Sequence, residues 1–231
     1  MNKREFKDKV YSELAKVAKA MANPHRLEII DLLAQGPCSV EQLANYTGMS
    51  VANASQHLQT LKNAKLVQIS RSGNFINYSL TSEDVFFAWA GLRELGLEYN
   101  AEAQKLIRDF RKGYKSNMNA VDADELARMI EKDEIILLDV RPEVEYKRGH
   151  IHKRGHIHSA MSIPIEKLEA HIKKLPKRKM IVAYCRGPFC FFADEAVALL
   201  QKKGFNAVRM DKGFPEWVDK GYPVENAQTI N

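Results

Sequence analysis

Apolar positions in the first hundred residues recur mostly every three or four places. Between Glu5 and Ala22, the residues Val10, Leu14, Val17, Ala18 and Met21 keep helical spacing. Asn23-Pro24 breaks that run and starts a second helix, with proline in the first turn, where its missing N–H costs nothing. Leu27, Ile29, Ile30, Leu32 and Leu33 give this helix a broad apolar face, ended by Gly36-Pro37. Ser39, with Gln42 three residues on, predicts a capping box for a short helix to Asn45. Gly48 supplies a turn, and Ser50 caps a helix to about Asn63 that faces Ala54, Leu58 and Leu61 inward. The period then changes to that of strands. Leu66–Ser70 and Phe75–Leu80 read as a hairpin joined through Arg71-Ser72-Gly73-Asn74. Ser82 to about Lys112 reads as one long or slightly broken helix with an apolar, aromatic face.

The second half alternates short apolar strands with helices, which predicts a parallel sheet with crossover helices. Strands are expected at Glu134–Val140, up to Ile163-Pro164, at Ile181–Tyr184 and at Ala207–Met210. Helices are expected at Asp124–Glu131, from Glu143 to Lys147, at Glu166–Lys174, at Phe191–Lys203 and at Pro215–Lys220. Between the halves, Arg111 to Asn119 is charged, polar and without apolar period. The predicted division is therefore 1–112, a linker over 113–120, and a second domain over 121–225.

The sequence of 231 residues suits two modest domains. No apolar run is long enough for a membrane span, and no apolar stretch follows the charges of the N-terminus as in a signal peptide. Three cysteines do not make a disulfide scaffold and suit a reducing cytoplasm. The net charge of +6 is mild, compatible with nucleic acid but no proof of it.

One stretch carries chemistry on residue pattern alone. Ile181 to Tyr184 forms a buried strand, Cys185 follows at once, and Arg186-Gly187-Pro188-Phe189-Cys190 turns into the next helix. Such a loop points backbone N–H groups at one spot and favours an anion there. A thiolate at that address is expected to fall from a pKa of ~8.5 into about 3.5 to 7.5.

In the first half, two short helices around a glycine turn and then a hairpin make a winged helix-turn-helix, whose second helix belongs in the major groove. Asn23-Pro24-His25-Arg26-Leu27-Glu28-Ile29-Ile30, Leu43-Ala44, Met49-Ser50 and Ser55-Gln56-His57-Leu58-Gln59-Thr60-Leu61 resemble the ArsR-type transcriptional repressors, and Gly73 and Tyr78 fit that family's wing. The resemblance covers about residues 5 to 100. It implies a homodimer, paired through the first and last helices, on a pseudo-palindromic operator in double-stranded DNA. Subtracting the inward face of the recognition helix leaves Val51, Ala52, Asn53, Ser55, Gln56 and Gln59 for DNA. Asn53 and Gln56 have amides suited to adenine edges. Ser50, Ser55, His57 and the wing residue Arg71 are expected at phosphates; for His57, packing at the corner of helix and wing is an equal alternative. Metal sensors of this family carry a Cys-x-Cys box where this chain has Cys38-Ser39-Val40, so the second thiolate is missing. One thiol does not make a soft-metal site, and no metal or other cofactor is expected.

Leu138-Asp139-Val140-Arg141-Pro142, Glu145-Tyr146, Gly155-His156-Ile157, Ala160, Ile163-Pro164, Tyr184-Cys185-Arg186-Gly187 and Gly213-Phe214-Pro215-Glu216-Trp217 resemble the rhodanese domain over about 120 to 225. The resemblance implies sulfur transfer through a persulfide on Cys185, held by the N–H groups of Arg186, Gly187 and the residues to Phe191, between a sulfur donor and an acceptor thiol. It places Asp139 and Arg141 as a structural ion pair. Phosphatases of this fold close a Cys-x5-Arg loop on phosphate; here the sixth residue after Cys185 is Phe191, which disfavours phosphate chemistry. Arg186 is the one charge in the loop. Cys190, five residues after Cys185, is a candidate resolving thiol, with a buried inert thiol as the alternative. The hexapeptide from Lys147 to His152 recurs at once as Lys153 to His158, and reads as a tandem insertion in a surface loop rather than a histidine metal site.

The chain is therefore expected to be a two-domain regulator, a mainly α winged helix-turn-helix followed by an α/β rhodanese-like sheet. It represses transcription and senses reactive sulfur at Cys185. Competing expectations are a sulfurtransferase whose DNA module controls its own gene, and a regulator with a silent rhodanese docking domain.

Overall fold

The computed structural model describes residues 1–73, 75–114, 119–147 and 155–225. They form two compact units, Met1–Tyr99 and Asn100–Asn231. In the first, α1 (Lys3–Met21), α2 (Pro24–Leu33), α3 (Val40–Thr47) and α4 (Val51–Asn63) precede a hairpin, β1 (Val67–Ser72) and β2 (Phe75–Leu80), and a last helix, α5 (Glu83–Tyr99). The caps at Ser39 and Ser50 are those the sequence predicts, and Asn23 adds one before Pro24. Asn23 accepts from the Arg26 amide, Ser39 and Gln42 close a reciprocal capping box, and Ser50 accepts from the Asn53 amide. Gly48 sits at φ 69°, the left-handed turn between α3 and α4 that favours glycine. Ile29, Ile30, Leu43, Leu58 and Leu61 are fully buried where these helices meet. Cys38 is buried in the same core and bridges Tyr78 of the hairpin through paired backbone hydrogen bonds of 3.0 and 2.8 Å.

The long helix expected to Lys112 is two. α5 ends at Tyr99, and Asn100 caps α6 (Ala101–Lys112) by accepting from the amides of Glu102 and Ala103. Composition puts a boundary in the charged stretch after Lys112; the compact units part at Asn100, because α6 groups with the second unit.

That unit continues as β3 (Ala120–Val121), α7 (Ala123–Glu131), β4 (Ile135–Asp139), α8 (Glu143–Lys147), β5 (His156–Ile157), β6 (Met161–Ser162), α9 (Ile165–His171), β7 (Met180–Tyr184), α10 (Phe192–Lys202), β8 (Ala207–Met210), α11 (Phe214–Asp219) and β9 (Val224–Glu225). Its sheet is parallel, in the order β3-β8-β7-β4-β6. The apolar run from Ile181 to Tyr184 is fully buried in the central strand β7, and Cys185 follows at its carboxyl end. α10 covers one face with Ala193, Ala196, Val197 and Leu200, as its spacing predicts. In the repeated hexapeptide, Gly155, His156 and Ile157 of the second copy are integral to the fold: Gly155 O accepts from Arg141, Ile157 N–H donates to Tyr184, and β5 pairs with β9. The histidines of the first copy lie outside the described residues.

Candidate functional site

The Cys185 loop stands on a buried polar frame. Arg141 meets Asp139 through both carboxylate oxygens, at 2.6 to 3.1 Å, and neither side chain is exposed. Tyr184, the residue before the cysteine, donates to Asp139 at 2.7 Å, and the Arg141 guanidinium lies 4.3 Å from the centre of the Phe214 ring. This frame ties the ends of β4 and β7 to the turn before α11. A buried charge pair costs far less than either charge alone, so it fixes the frame. The turn before α11 approaches even closer. Phe214 N–H donates to Cys185 O at 3.1 Å, and a Cβ on Gly213 would stand 2.4 Å from the Arg186 carbonyl and the Gly187 nitrogen. Only glycine fits there.

Within the loop the structure pairs the one charge, and the Cys185 shift runs opposite to the expected direction. Arg186 does not stand free for a dianionic donor. Its guanidinium makes a forked pair with Glu145 of α8, at 2.6 and 3.1 Å, and the two side chains are only 12% and 3% exposed. Nor is Cys185 the more acidic thiol. It is 3% exposed and donates to the carbonyl of Cys190 at 3.1 Å. Burial pushes its thiol well up and the hydrogen bond to the Cys190 side chain adds to this, while the amides of Ala193 and Gly187 oppose both. Cys190 moves down, chiefly through the neighbouring Cys185 side chain, with the Arg186 charge and the amides of Phe192 and Arg186 also favouring its thiolate. Amides of the loop and of the start of α10 favour the thiolate form of both sulfurs. Gly187 accepts from the Cys190 amide at 3.1 Å and closes the turn.

Three residues of α6 and its end belong to this site although no motif marked them. Phe110 packs on Phe191, with ring centres 4.1 Å apart, and Tyr114 stacks on the same ring at 6.4 Å. Arg111 donates to Pro188 O at 3.0 Å and lies 3.6 Å from the Asp194 carboxylate. In sequence Arg111 is one cation in a charged run, with nothing to set it apart.

On α4, Ser55, Gln56 and Gln59 are exposed, and Asn53 is half-buried near the capped end. Ser50 is exposed, with its hydroxyl engaged in the cap, and Arg71 is exposed on β1. Gln59 donates to Asn63 at 2.7 Å. Val51, in the first turn of α4, is itself 46% exposed. His57 packs against His25 of α2, ring centres 5.4 Å apart. Desolvation, His25 and Arg26 lower its pKa from the ordinary histidine value. None of the described helices is long and apolar enough to cross a membrane.

Comparison with known proteins divides the chain in the same way. A family model for the bacterial regulatory proteins of the arsR family matches residues 23–68, and one for the rhodanese-like domain matches 122–220. The HTH-type transcriptional regulator Rv0324 of Mycobacterium tuberculosis is 38% identical over 218 residues, 94% of this chain and 92% of that protein. The transcriptional repressor SdpR of Bacillus subtilis is 38% identical over 29% of this chain and 73% of its own. Among solved structures, the homodimeric winged helix-turn-helix DNA-binding domain of a Mycobacterium bovis regulator is 38% identical over 44% of this chain and 93% of its own, with a TM-score of 0.41. A rhodanese-related protein of Thermoplasma volcanium is 28% identical over 46% of this chain and 97% of its own, with a TM-score of 0.40. Both family models and the near full-length relative lead to one statement: the chain belongs to the ArsR-family transcriptional regulators that carry a C-terminal rhodanese-like domain.

Proposed function

We propose that this regulator binds its operator as a homodimer, represses transcription, and changes its grip on DNA when Cys185 takes up sulfur. The observation that carries the reading is the placing of Cys185 and Cys190 on one loop at the end of the central strand, with the Cys185 thiol donating to the Cys190 carbonyl at 3.1 Å. The Cys190 thiolate takes the Cys185 proton. The Cys185 thiolate attacks the outer sulfur of a persulfide donor, RS–SH; the donor's S–S bond breaks and its electron pair leaves on RS⁻, which Cys190 reprotonates. Cys185 then carries S–SH. Attack by Cys190 on the inner sulfur forms the Cys185–Cys190 disulfide and expels HS⁻. Atoms and charge balance in both steps, and neither needs an outside oxidant.

A persulfide donor fits the site better than thiosulfate, because Glu145 already neutralises Arg186 and a dianion finds no unshared charge on it. A thiol that burial holds protonated also suits single-turnover sensing better than fast turnover. The exposed side chains of α4 suit the major groove, with Asn53, Gln56 and Gln59 for base edges and Ser50, Ser55 and Arg71 for phosphates. The test is a mobility shift on an operator selected from random DNA, before and after treatment with an organic persulfide. Sulfur sensing predicts that Cys185→Ser abolishes the change in affinity and Cys190→Ser alters its extent. Equal responses from the parent and both variants would refute it.

A further inference from the structure

The guanidinium of Arg111 holds two parts of the sulfur site at once. Its Nη2 donates to the carbonyl of Pro188, in the middle of the Cys185 loop, at 3.0 Å. Its Nε lies 3.6 Å from Asp194 in the first turn of α10, which the loop runs into. The Asp194 carboxylate is fully buried, shared with Arg209 at 3.7 Å, and makes no hydrogen bond of its own among the described residues. A buried carboxylate needs its cations, so Arg111 is bound by more than a surface contact. Phe110 and Tyr114, on either side of it, close on the Phe191 ring. Among the described residues α6 has no buried side chain, and Leu106 and Phe110 remain 63% and 53% exposed, so its contacts with the loop are a main part of its hold.

We propose that Arg111 is a positioning residue of the sulfur site. It fixes the Cys185 loop through Pro188 and Asp194, so that the last turn of α6 follows what is bound to Cys185. The inference rests on the sulfur-sensing reading for its purpose but not for its geometry. Cys185 is buried, and a second sulfur or a bond to Cys190 cannot be placed without moving the residues between them. Those residues include Pro188, and Phe191 follows directly; they are what α6 holds. The helix is also continuous in sequence with the other unit, Asn100 following the last residue of α5. It is a covalent route from the loop to the DNA-binding unit.

The test is hydrogen exchange of the full-length protein, followed at the amides from Ile107 to Tyr114 with Cys185 free, persulfidated or alkylated with iodoacetamide, the alkylated arm being run on Cys190→Ser so that Cys185 is the loop thiol that reacts. The inference predicts that either modification speeds exchange there by about tenfold, the scale of one charge-assisted hydrogen bond. Arg111→Ala should exchange fast in every state, its modification-dependent difference gone, and Arg111→Lys should restore part of that difference. A purely structural Arg111 would slow unfolding without making α6 respond to Cys185. Unchanged exchange at 107–114 in the modified parent overturns the inference. Failure to form a persulfide, with alkylation still speeding α6, overturns the sulfur reading alone.

Discussion

Two thiols five residues apart divide the work of one site. Cys185 lies under the loop and is pushed up by burial, whereas Cys190 is pulled down as it accepts the Cys185 proton. The sign follows directly, because alkylation tracks the thiolate and the thiolate fraction rises with pH. In the reduced protein, Cys190 should therefore become half-reactive toward iodoacetamide below the ordinary thiol midpoint, and Cys185 well above it. Peptide mass spectrometry across a pH series reads both, and the reverse order would contradict the assignment. Gly213 offers a test through packing instead of charge. Its missing Cβ makes room for the Arg186–Gly187 peptide, so Gly213→Ala forces the loop or α11 to move. Overpacking of this kind costs about 1 to 3 kcal/mol, read as a lowered denaturant midpoint, and the displaced loop should persulfidate more slowly. Sequence made the candidate nucleophile and a second thiol on its loop legible, but not the burial of Cys185. The pattern of strand, cysteine and helix predicts amides aimed at one sulfur, whereas in the fold they favour both.

At the scale of elements, the exposed apolar residues are concentrated on two helices of the first unit. Phe6, Val10, Tyr11, Leu14 and Val17 on α1 and Phe87, Leu92, Leu95 and Tyr99 on α5 stay 39 to 75% exposed. A helix that keeps apolar periodicity without covering it has a partner in mind, and a second copy of the chain supplies the same faces. Leu14→Glu and Leu95→Glu should convert the dimer to monomer in sedimentation velocity and weaken operator binding by at least tenfold, while leaving the thermal midpoint of the folded chain nearly unchanged. A monomeric parent would rule the interface out. Most elements could be located from sequence because each carries its own signal: Ser39 with Gln42, Gly48, Ser50, and the apolar run before Cys185. β3 and the pair β5 and β9 could not, since two-residue strands are too short to show a period. The division at Asn100 was hidden for a different reason. Apolar spacing runs on through it, and only the side-chain cap marks where α6 begins.

For the whole molecule, the compositional boundary and the packing boundary differ, and the difference is informative. The charged stretch after Lys112 looks like a tether between two independent modules, yet α6 before it is fastened to the Cys185 loop through Arg111, Phe110 and Tyr114. What looked like the tail of the DNA-binding domain packs on the Cys185 loop. Long-range contacts of that kind leave no local trace in a sequence. Joining the two modules in one chain is useful for regulation only if operator affinity differs between the free and sulfur-bound states. The most direct measurement determines the mass of the protein and its operator affinity on the same sample during titration with an organic persulfide. The account predicts that affinity changes in proportion to the fraction of Cys185 that has gained one sulfur or lost its proton to a bond with Cys190, and that Cys185→Ser stays flat. Full modification of Cys185 with operator affinity unchanged would contradict it.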